Sequence, residues 1–313
     1  MQITEIIPPY VVGTEGKTLT GDDPAEYQTI QAAIDAAVAG AVNPPATNNS
    51  KQLIFIKPGV YVENLTLNSG VTLYTDTLGT VNIVGSHTIN SNTNDFFFFE
   101  NLTFLQNDGN LFVINSPNTG APSTVSINII YFKCQLFHNN TAFQAIVVNC
   151  LDTNDRVSMS AINSGFQGPP GGVQPPNQSL ISTGPGRFVL DFNSGSCGGN
   201  FWMEIDSEGG AGNNHIFVGN VIRFFSSNIP ETYITCTPTA VNTYGLVKSC
   251  CITNDSSMNN AEGFLNVQGG IWNITGCSIQ NPNVLNVDGV ASPGNVELWS
   301  CGFSRTTLRL IIC

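Results

Sequence analysis

Two hydrophobic periods follow one another in the first quarter of the chain. Apolar residues recur with helical period over 30–38, at Ile30, Ala33, Ile34, Ala37 and Val38. Thr29 stands directly before this stripe, where an N-cap residue is expected. Over 53–67, apolar residues recur at every second position in short runs that are broken by turn residues at 58–59 and 69–70. The pattern predicts an amphipathic helix followed by short strands.

The strand segment also carries a motif. It reads I-x-I-x-P-G-x-Y-x-E and consists of Ile54, Ile56, Pro58, Gly59, Tyr61 and Glu63. This motif after an amphipathic helix resembles the N-terminal part of the pectinesterase and pectate-lyase-like proteins. The resemblance covers 27–74 and rests mostly on turn and core positions. It implies an all-β fold, a right-handed parallel β-helix (solenoid) with an N-terminal amphipathic capping helix, and it says little about chemistry.

Strand-like segments recur beyond this motif. Cys251, Cys277 and Cys301 each follow an alternating strand and a small polar step, at spacings of 26 and 24 residues. Such a spacing is close to the length of one β-helix coil and indicates repeated structural units. The same shape occurs earlier, in FFFFENLTF near Leu102 and IIYFKCQLF near Cys134. We therefore expect the coils to continue along the chain.

The domain organisation follows from these repeats. A solenoid grows by adding coils, so one domain can span 27–313, with 1–26 as an N-terminal arm. Two segments dense in Gly and Pro, at 165–186 and 194–214, predict long inserted loops. The C-terminal strand at 306–313 is apolar. We expect this end, and the N-terminal arm, to contact other structural proteins or copies of the same chain.

Composition narrows the range of partners. Charged residues make up only 10% of the 313 residues, and 10 Lys+Arg against 22 Asp+Glu leave a net charge of −12. This balance argues against nucleic acid and against an anionic membrane surface. With only five arginines, a neutral glycan is an easier ligand than pectate. Asn and Thr supply the polarity instead and suit hydrogen-bonded ladders between coils, as on an extracellular or particle surface.

Neither a secretory leader nor a membrane-spanning segment is evident in the sequence. The first 21 residues lack a basic region, and two prolines interrupt their apolar run. We expect the chain at the surface of a virion or another extracellular particle, without membrane insertion.

The nine cysteines permit two interpretations. They could form a disulfide framework or redox site, or they could stack inward as small apolar side chains of the core. The second is favoured because no C-x-x-C pair occurs and the count is odd. The histidines His87, His138 and His215 are isolated, so we expect no metal site. No P-loop or dinucleotide-binding motif occurs, and we expect no cofactor.

Catalytic motifs of the resembled proteins are absent. A pectin methylesterase of this kind would carry two carboxylates on successive coils, and the nearest string here, VLDF at 189–192, shares only Asp-Phe. A glycosidase needs only two carboxylates at a suitable separation. Asp191, Glu204 and Asp206 are the catalytic candidates if the two long loops border one face, and Trp202 could bind a sugar ring. Solvated strand residues beside a packed Trp are the alternative.

Two classes of function remain open. The first is a non-enzymatic structural or receptor- and glycan-binding component of a particle, such as a viral spike, fibre or minor capsid protein, of undetermined oligomeric state. The second is a carbohydrate-active enzyme, a polysaccharide lyase, glycoside hydrolase or carbohydrate esterase, with a diverged active site. The sequence favours the first because it lacks the known catalytic motifs.

Overall fold

The fold was analysed in a computed structural model, which describes residues 10–13, 25–40, 52–91, 93–116, 125–140, 142–168, 179–198, 203–206, 215–226, 234–236, 243–254, 265–267, 270–280, 285–287 and 295–304. Within these ranges, strands predominate and one α-helix, α1 (Ile30–Gly40), is present. No helix in the described ranges is long and apolar enough to cross a membrane.

The strands form three rows, and each coil passes from row A to row B to row C. Row A contains β2 (Ala25–Tyr27), β1 (Tyr10–Val12), β3 (Gln52–Ile56), β6 (Val71–Tyr74), β9 (Asp95–Glu100), β12 (Ser126–Phe132), β15 (Arg156–Ile162), β18 (Arg187–Gly198), β20 (His215–Ser226), β22 (Thr243–Lys248), β25 (Ile271–Thr275) and β28 (Asn295–Trp299). Row B contains β4 (Gly59–Val62), β7 (Val81–Val84), β10 (Thr103–Gln106), β13 (Gln135–His138), β16 (Gly165–Gln167), the second halves of β18 and β20, β23 (Cys251–Asn254), β26 (Ser278–Gln280) and β29 (Gly302–Ser304). Row C contains β5 (Thr66–Leu67), β8 (His87–Asn90), β11 (Phe112–Asn115), β14 (Ile146–Asn149), β17 (Leu180–Thr183), β19 (Met203–Asp206), β21 (Ile234–Cys236), β24 (Leu265–Val267) and β27 (Leu285–Val287).

Strand pairing confirms the predicted right-handed parallel β-helix. Every pairing among the described strands is parallel, and from β3 onward each strand pairs with its counterpart in the next coil, as β9 pairs with β12 and β12 with β15. Alternate residues face the interior: in β9, Phe97 and Phe99 are fully buried while Phe96 and Phe98 are half-buried. The core is therefore one continuous column of apolar side chains along the coils.

The helix α1 covers the N-terminal end of this column, as predicted. Ile30, Ala33, Ile34 and Ala37 are buried, whereas Val38, the last residue of the predicted stripe, is 38% exposed. Thr29 is the N-cap, because its Oγ1 accepts a hydrogen bond from the Ala32 N–H at 3.2 Å.

The Glu of the sequence motif completes the helix cap. Its two carboxylate oxygens accept hydrogen bonds from the N–H groups of Ile30 and Gln31, each at 2.9 Å. These are donors at the helix N-terminus that have no partner within the helix, and the carboxylate also interacts favourably with the helix dipole. Glu63 thus joins the first coil to the capping helix.

The corner between rows A and B repeats one conformation. In seven coils it is occupied by a residue with positive φ: Asn101, Lys133, Asn163, Ser194, Ser249, Gly276 and Ser300, with φ between 52° and 62°. The next residue points inward and is Cys134, Ser164, Cys250, Cys277 or Cys301 in five of these coils. Cys134, Cys250 and Cys277 are buried and form no disulfide, which confirms the inward stack for these three.

These corner side chains also form hydrogen bonds, which the sequence had not indicated. The Cys134 N–H donates to the Ser164 Oγ at 3.0 Å, and that hydroxyl lies 3.0 Å from the carbonyl oxygens of Tyr131 and Ile162. The Cys134 thiol contacts the Phe99 and Phe132 carbonyl oxygens in the same way. At these corners a small side chain with donor and acceptor capacity satisfies the backbone, which explains why either Ser or Cys can occupy the position.

Asn and Thr form the ladder that composition suggested. On row C, the Asn115 amide donates to the Asn90 Oδ1 at 2.7 Å, and the Asn149 amide donates to the Asn115 Oδ1 at 2.7 Å. The Thr183 hydroxyl continues the series by donating to the Asn149 Oδ1 at 2.9 Å. Four successive coils are joined on their outer face without any charged group.

Strands occupy part of both predicted loops and part of the predicted N-terminal arm. Some glycines of 165–186 and 194–214 lie in strands, among them Gly165 and Gly195. A Cβ on Gly165 would lie 2.3 Å from the Gln135 side chain, and one on Gly195 would lie 2.2 Å from the Ser164 carbonyl oxygen. Close approach of the neighbouring coil, rather than a loop, requires glycine there. In the arm, β1 pairs with both β2 and β3.

Candidate functional site

The outer face of row A carries the most distinctive set of side chains among the described residues. Register places equivalent outward residues of successive coils side by side, so the face consists of columns that run along the solenoid axis. One column contains Phe98, Ile130, Ser160 and Asp191, in β9, β12, β15 and β18. The next contains Glu100, Phe132, Ile162 and Asn193. We call this surface the row A face.

Three phenylalanines on the row A face form a row of rings. The planes of the Phe96 and Phe98 rings are nearly parallel, with an angle of 11° between them and centroids 6.4 Å apart. Phe98 and Phe132 continue the row at 6.3 Å and 26°. All three side chains are half-buried, and Lys133 Nζ lies 5.0 Å from the Phe132 ring centroid. We call Phe96, Phe98 and Phe132 the ring row.

The sequence contained a signal for the ring row that sequence reasoning did not use. Four consecutive phenylalanines occupy 96–99, and successive side chains of a strand point to opposite faces. Only two of the four can enter the core, so two must lie on the outer face. That Phe132 of the next coil extends the row depends on the register of β9 with β12.

A second aromatic pair borders the ring row. The Phe55 and Tyr74 rings lie 5.4 Å apart at 63°, in the first coils of row A. Burial raises the pKa of the Tyr74 hydroxyl, and the carboxylates of Asp76 and Glu100 add to this effect. The phenol therefore stays protonated at neutral pH and can donate a hydrogen bond.

Asp191 lies on the row A face at some distance from the ring row along the axis. It alternates with the buried Leu190 and Phe192, and it is half-buried itself. Burial raises the pKa of its carboxyl group. Its register partners in the adjacent coils are Ser160 and Val218. No carboxylate occupies the equivalent position of either neighbouring coil.

The other predicted catalytic residues are located elsewhere in the fold. Glu204 and Asp206 lie in β19 on row C, in register with Ile181 and Thr183, whereas Asp191 lies on row A. The backbone places Glu204 and Asp206 at alternate positions of one strand, as expected from their spacing. The three carboxylates are divided between two rows, so the fold does not bring them together on one row of strands. Trp202 lies outside the described residues, and its proposed sugar contact stays a prediction.

Two arginines form a cationic edge of the row A face. Arg156 and Arg187 are register partners at the beginning of β15 and β18. Burial lowers the pKa of the Arg187 guanidinium, and the charge of Arg156 lowers it further. The edge thus concentrates positive charge on a chain whose net charge is −12.

The described histidines are core residues. His87 and His138 are buried, and burial lowers the pKa of His87 to about 3 and that of His138 as well. His215 lies at the start of β20, and its side chain is outside the described set. Within the described ranges, no group of His, Cys, Asp and Glu is arranged to hold a metal ion.

Comparison with known proteins yields only structural likenesses. No protein-family profile matches the sequence, and no curated protein sequence shows significant similarity to it. A pectin methylesterase from Aspergillus niger, solved in penultimately deglycosylated form, aligns with 100% of this chain over 93% of its own length, at 14% identity and a TM-score of 0.46. The Escherichia coli protein YbhC aligns with 97% of this chain over 87% of its length, at 12% identity and a TM-score of 0.43. A pectin methylesterase in complex with a hexasaccharide aligns with 93% of this chain over 80% of its length, at 12% identity and a TM-score of 0.33.

Proposed function

We propose that this protein is a non-enzymatic, glycan-binding structural component of a particle or surface assembly, and that the row A face binds an uncharged saccharide. The observation that carries the proposal is the ring row. Half-buried aromatic rings in near-parallel orientation offer flat apolar surfaces against which the C–H faces of sugar rings can stack. Asn128, Ser158 and Ser160 lie on the same face and can bind hydroxyl groups.

The charge distribution supports an uncharged ligand on the ring row. The outward side chains of β9 and β12, which carry the ring row, are aromatic, aliphatic or uncharged polar except for Glu100, and Lys133 lies at the border. An anionic polysaccharide would meet a chain with a net charge of −12. A particle surface also suits the ladder of amides on row C, which joins coils without ion pairs.

The ring row can be tested directly. We expect the Phe98→Ala variant to bind a neutral oligosaccharide about tenfold more weakly than the wild type, since one stacking platform is lost. The ligand is first selected on an array of neutral and acidic glycans and then measured by isothermal titration calorimetry. Phe137→Ala is the matched control, because Phe137 is also half-buried but lies on row B. Equal loss in both variants, or no binding of any neutral glycan, would refute the proposal.

The alternative is a carbohydrate-active enzyme, and the raised pKa of Asp191 is the observation in its favour. A half-buried carboxyl group with a raised pKa is suited to donate a proton. Among the described strands of row A, however, neither coil adjacent to Asp191 carries a second carboxylate on its outer face. Glu100 lies three coils away on row A, roughly 14 Å at the usual strand spacing. Glycosidases need their two carboxyl groups about 5 to 9.5 Å apart.

An activity assay separates these two functions. We expect no release of reducing ends, unsaturated products or methanol from a panel of neutral and methyl-esterified polysaccharides. Any turnover that the Asp191→Asn variant abolishes would establish the enzyme instead. Whether the chain belongs to a particle is tested separately, by mass spectrometry of capsids or other large assemblies purified from the source.

The proposed contacts of the chain ends are tested by their effect on assembly. Residues 306–313, where we expect a neighbouring subunit or partner to cover the solenoid, lie outside the described residues. Analytical ultracentrifugation at rising protein concentration should detect self-association. A chain that stays monomeric and particle-free would contradict this proposal.

A further inference from the structure

Three cysteines occupy the same corner of three successive coils. Cys250, Cys277 and Cys301 each follow a residue with positive φ, at the point where row A passes into row B. Register aligns the strands that begin directly after them, since Cys251 pairs with Ser278 and Ser278 pairs with Gly302. We call Cys250, Cys277 and Cys301 the thiol ladder.

The residues of the thiol ladder make contacts with the neighbouring coil. The Cys250 N–H donates a hydrogen bond to the Cys277 sulfur at 3.4 Å. The Cys301 thiol lies 3.5 Å from the Ile274 carbonyl oxygen, which belongs to the coil of Cys277. Cys277 is 2% exposed, and Cys301 is half-buried. The ladder therefore begins in the core and reaches the surface at Cys301.

The spacing of the coils suits a disulfide bond. Neighbouring strands lie about 4.7–4.9 Å apart, and Cα atoms joined by a disulfide are usually about 4.4–6.8 Å apart. In-register cysteines on adjacent coils thus meet the backbone requirement. Their Cβ atoms need to approach each other by less than about 1 Å, because disulfides favour a Cβ separation of about 3.5–4.5 Å.

The environment of Cys277 favours its thiolate. Interaction with the Cys250 side chain lowers the pKa of Cys277 to about 7, although burial acts in the opposite direction. The backbone N–H of Cys250 and the Cys301 thiol contribute to the same lowering. By contrast, burial raises the pKa of Cys134 and of Cys150 to about 12. Burial raises the pKa of Cys301 as well, so the lowered pKa among these thiols is that of Cys277.

We propose that Cys277 and Cys301 are an oxidation site that forms a disulfide between two coils in the presence of a peroxide. The half-buried Cys301 meets the oxidant: its ionised fraction attacks one peroxide oxygen, the O–O bond breaks, and Cys301 becomes a sulfenic acid while the peroxide is reduced to water or an alcohol. The Cys277 thiolate then attacks the Cys301 sulfur and expels hydroxide, which takes up a proton to form water. Two thiols lose two electrons and two protons in total, and one S–S bond forms.

Cys301 rather than Cys250 is the partner of Cys277 because of its position. Cys250 is buried whereas Cys301 is half-buried, and the contacts of the two thiols with backbone carbonyl oxygens are alike. Cys301 lies on the last described coil and is accessible from outside. The bond would close a loop of about 25 residues and restrain opening of the C-terminal coils.

The test treats the folded full-length protein with hydrogen peroxide and maps the peptides without reduction. We expect a cross-link between Cys277 and Cys301, with Cys134 and Cys150 still reduced. Cys250→Ser should keep the cross-link, whereas Cys277→Ser and Cys301→Ser should abolish it. Serine fits this corner, because Ser164 forms the same hydrogen bonds at the equivalent position. Limited proteolysis of the C-terminal coils should become at least about tenfold slower after oxidation in the wild type only.

Several outcomes would overturn the proposal. A peroxide-treated protein with sulfinic or sulfonic acid at Cys301 and no cross-link would do so, as would a cross-link between Cys250 and Cys277 as the main product. A cross-linked peptide that is still found in the Cys277→Ser variant would also overturn it. If Cys277→Ser fails to fold, as judged by circular dichroism, Cys301→Ser at the half-buried end gives the same test.

Discussion

Acidification should destabilise this protein through the buried imidazole of His87. The ring is 0% exposed and packs against Phe104 and Phe112, with centroid distances of 5.4 and 5.1 Å. Its Nδ1 accepts a hydrogen bond from the Leu65 N–H at 3.2 Å, so the neutral ring carries its proton on Nε2, a buried atom without a hydrogen-bond partner. Protonation would place a charge in an apolar core and would remove the acceptor that Leu65 needs.

The magnitude follows from linkage. Burial lowers the pKa of His87 to about 3, against about 6.5 for a histidine in an unfolded chain. Between these two values the unfolded state binds more protons than the folded state, so the free energy of unfolding falls as the pH is lowered. The effect is absent above about pH 7 and complete below about pH 3. Between pH 7 and pH 5 it amounts to about 2 kcal/mol, and over the whole range to about 5 kcal/mol.

The control is the variant His87→Asn, whose Oδ1 can accept the hydrogen bond of the Leu65 N–H but does not titrate. Its smaller side chain lowers stability by the same amount at each pH, so only the pH dependence is compared. His138 and Asp191 also have shifted pKa values, but they are present in both proteins and their contributions cancel. The assay is urea denaturation at pH 7 and pH 5, followed by tryptophan fluorescence, for which the fully buried Trp272 is a suitable probe.

The wild type should lose about 2 kcal/mol more than His87→Asn between these two pH values. Equal losses in the two proteins would show that the imidazole is solvated or takes up a proton while the protein stays folded. The assignment of His87 as a neutral core residue would then be wrong.

Three further predictions concern a packing contact, the helix cap and a buried hydroxyl group. Gly245→Ala should lower the free energy of unfolding by about 1–3 kcal/mol in urea denaturation, because a Cβ on Gly245 would lie 2.0 Å from the Trp272 ring. In a double-mutant cycle, Trp272→Leu should lessen that loss, and additive effects would contradict direct packing. Glu63→Gln should destabilise the protein by about 1–2 kcal/mol and increase the rate of hydrogen exchange in α1, since the carboxylate that caps the helix is lost. An unchanged exchange rate would argue against the cap. Thr72→Val should stabilise the protein by about 1 kcal/mol in the same denaturation assay, because the Thr72 hydroxyl is buried without a hydrogen-bond partner. A lower urea midpoint for this variant would point to a bound water at that hydroxyl.

The local features of the fold could be predicted from the sequence because they depend on neighbouring residues. Helical period over 30–38 and the oxygen side chain of Thr29 determine where α1 begins and which side it buries. Alternation and the spacing of the cysteines similarly indicate strands that repeat once per coil. The inward cysteine stack followed from the same pattern, since each thiol follows a corner at a constant position.

The tertiary structure decided which distant residues meet. The phenylalanines at 96–99 require outward rings, but only the register of β9 with β12 places Phe132 beside Phe98. The sequence grouped Asp191 with Glu204 and Asp206 because they are near in the chain, whereas the fold assigns them to different rows of strands. Glycines that looked like loop signals lie partly in strands, where a neighbouring coil approaches closely. Contacts between coils depend on how many residues each turn contains, and a local pattern does not encode that number. The periodic elements could therefore be predicted from the sequence, whereas the composition of the row A face could not.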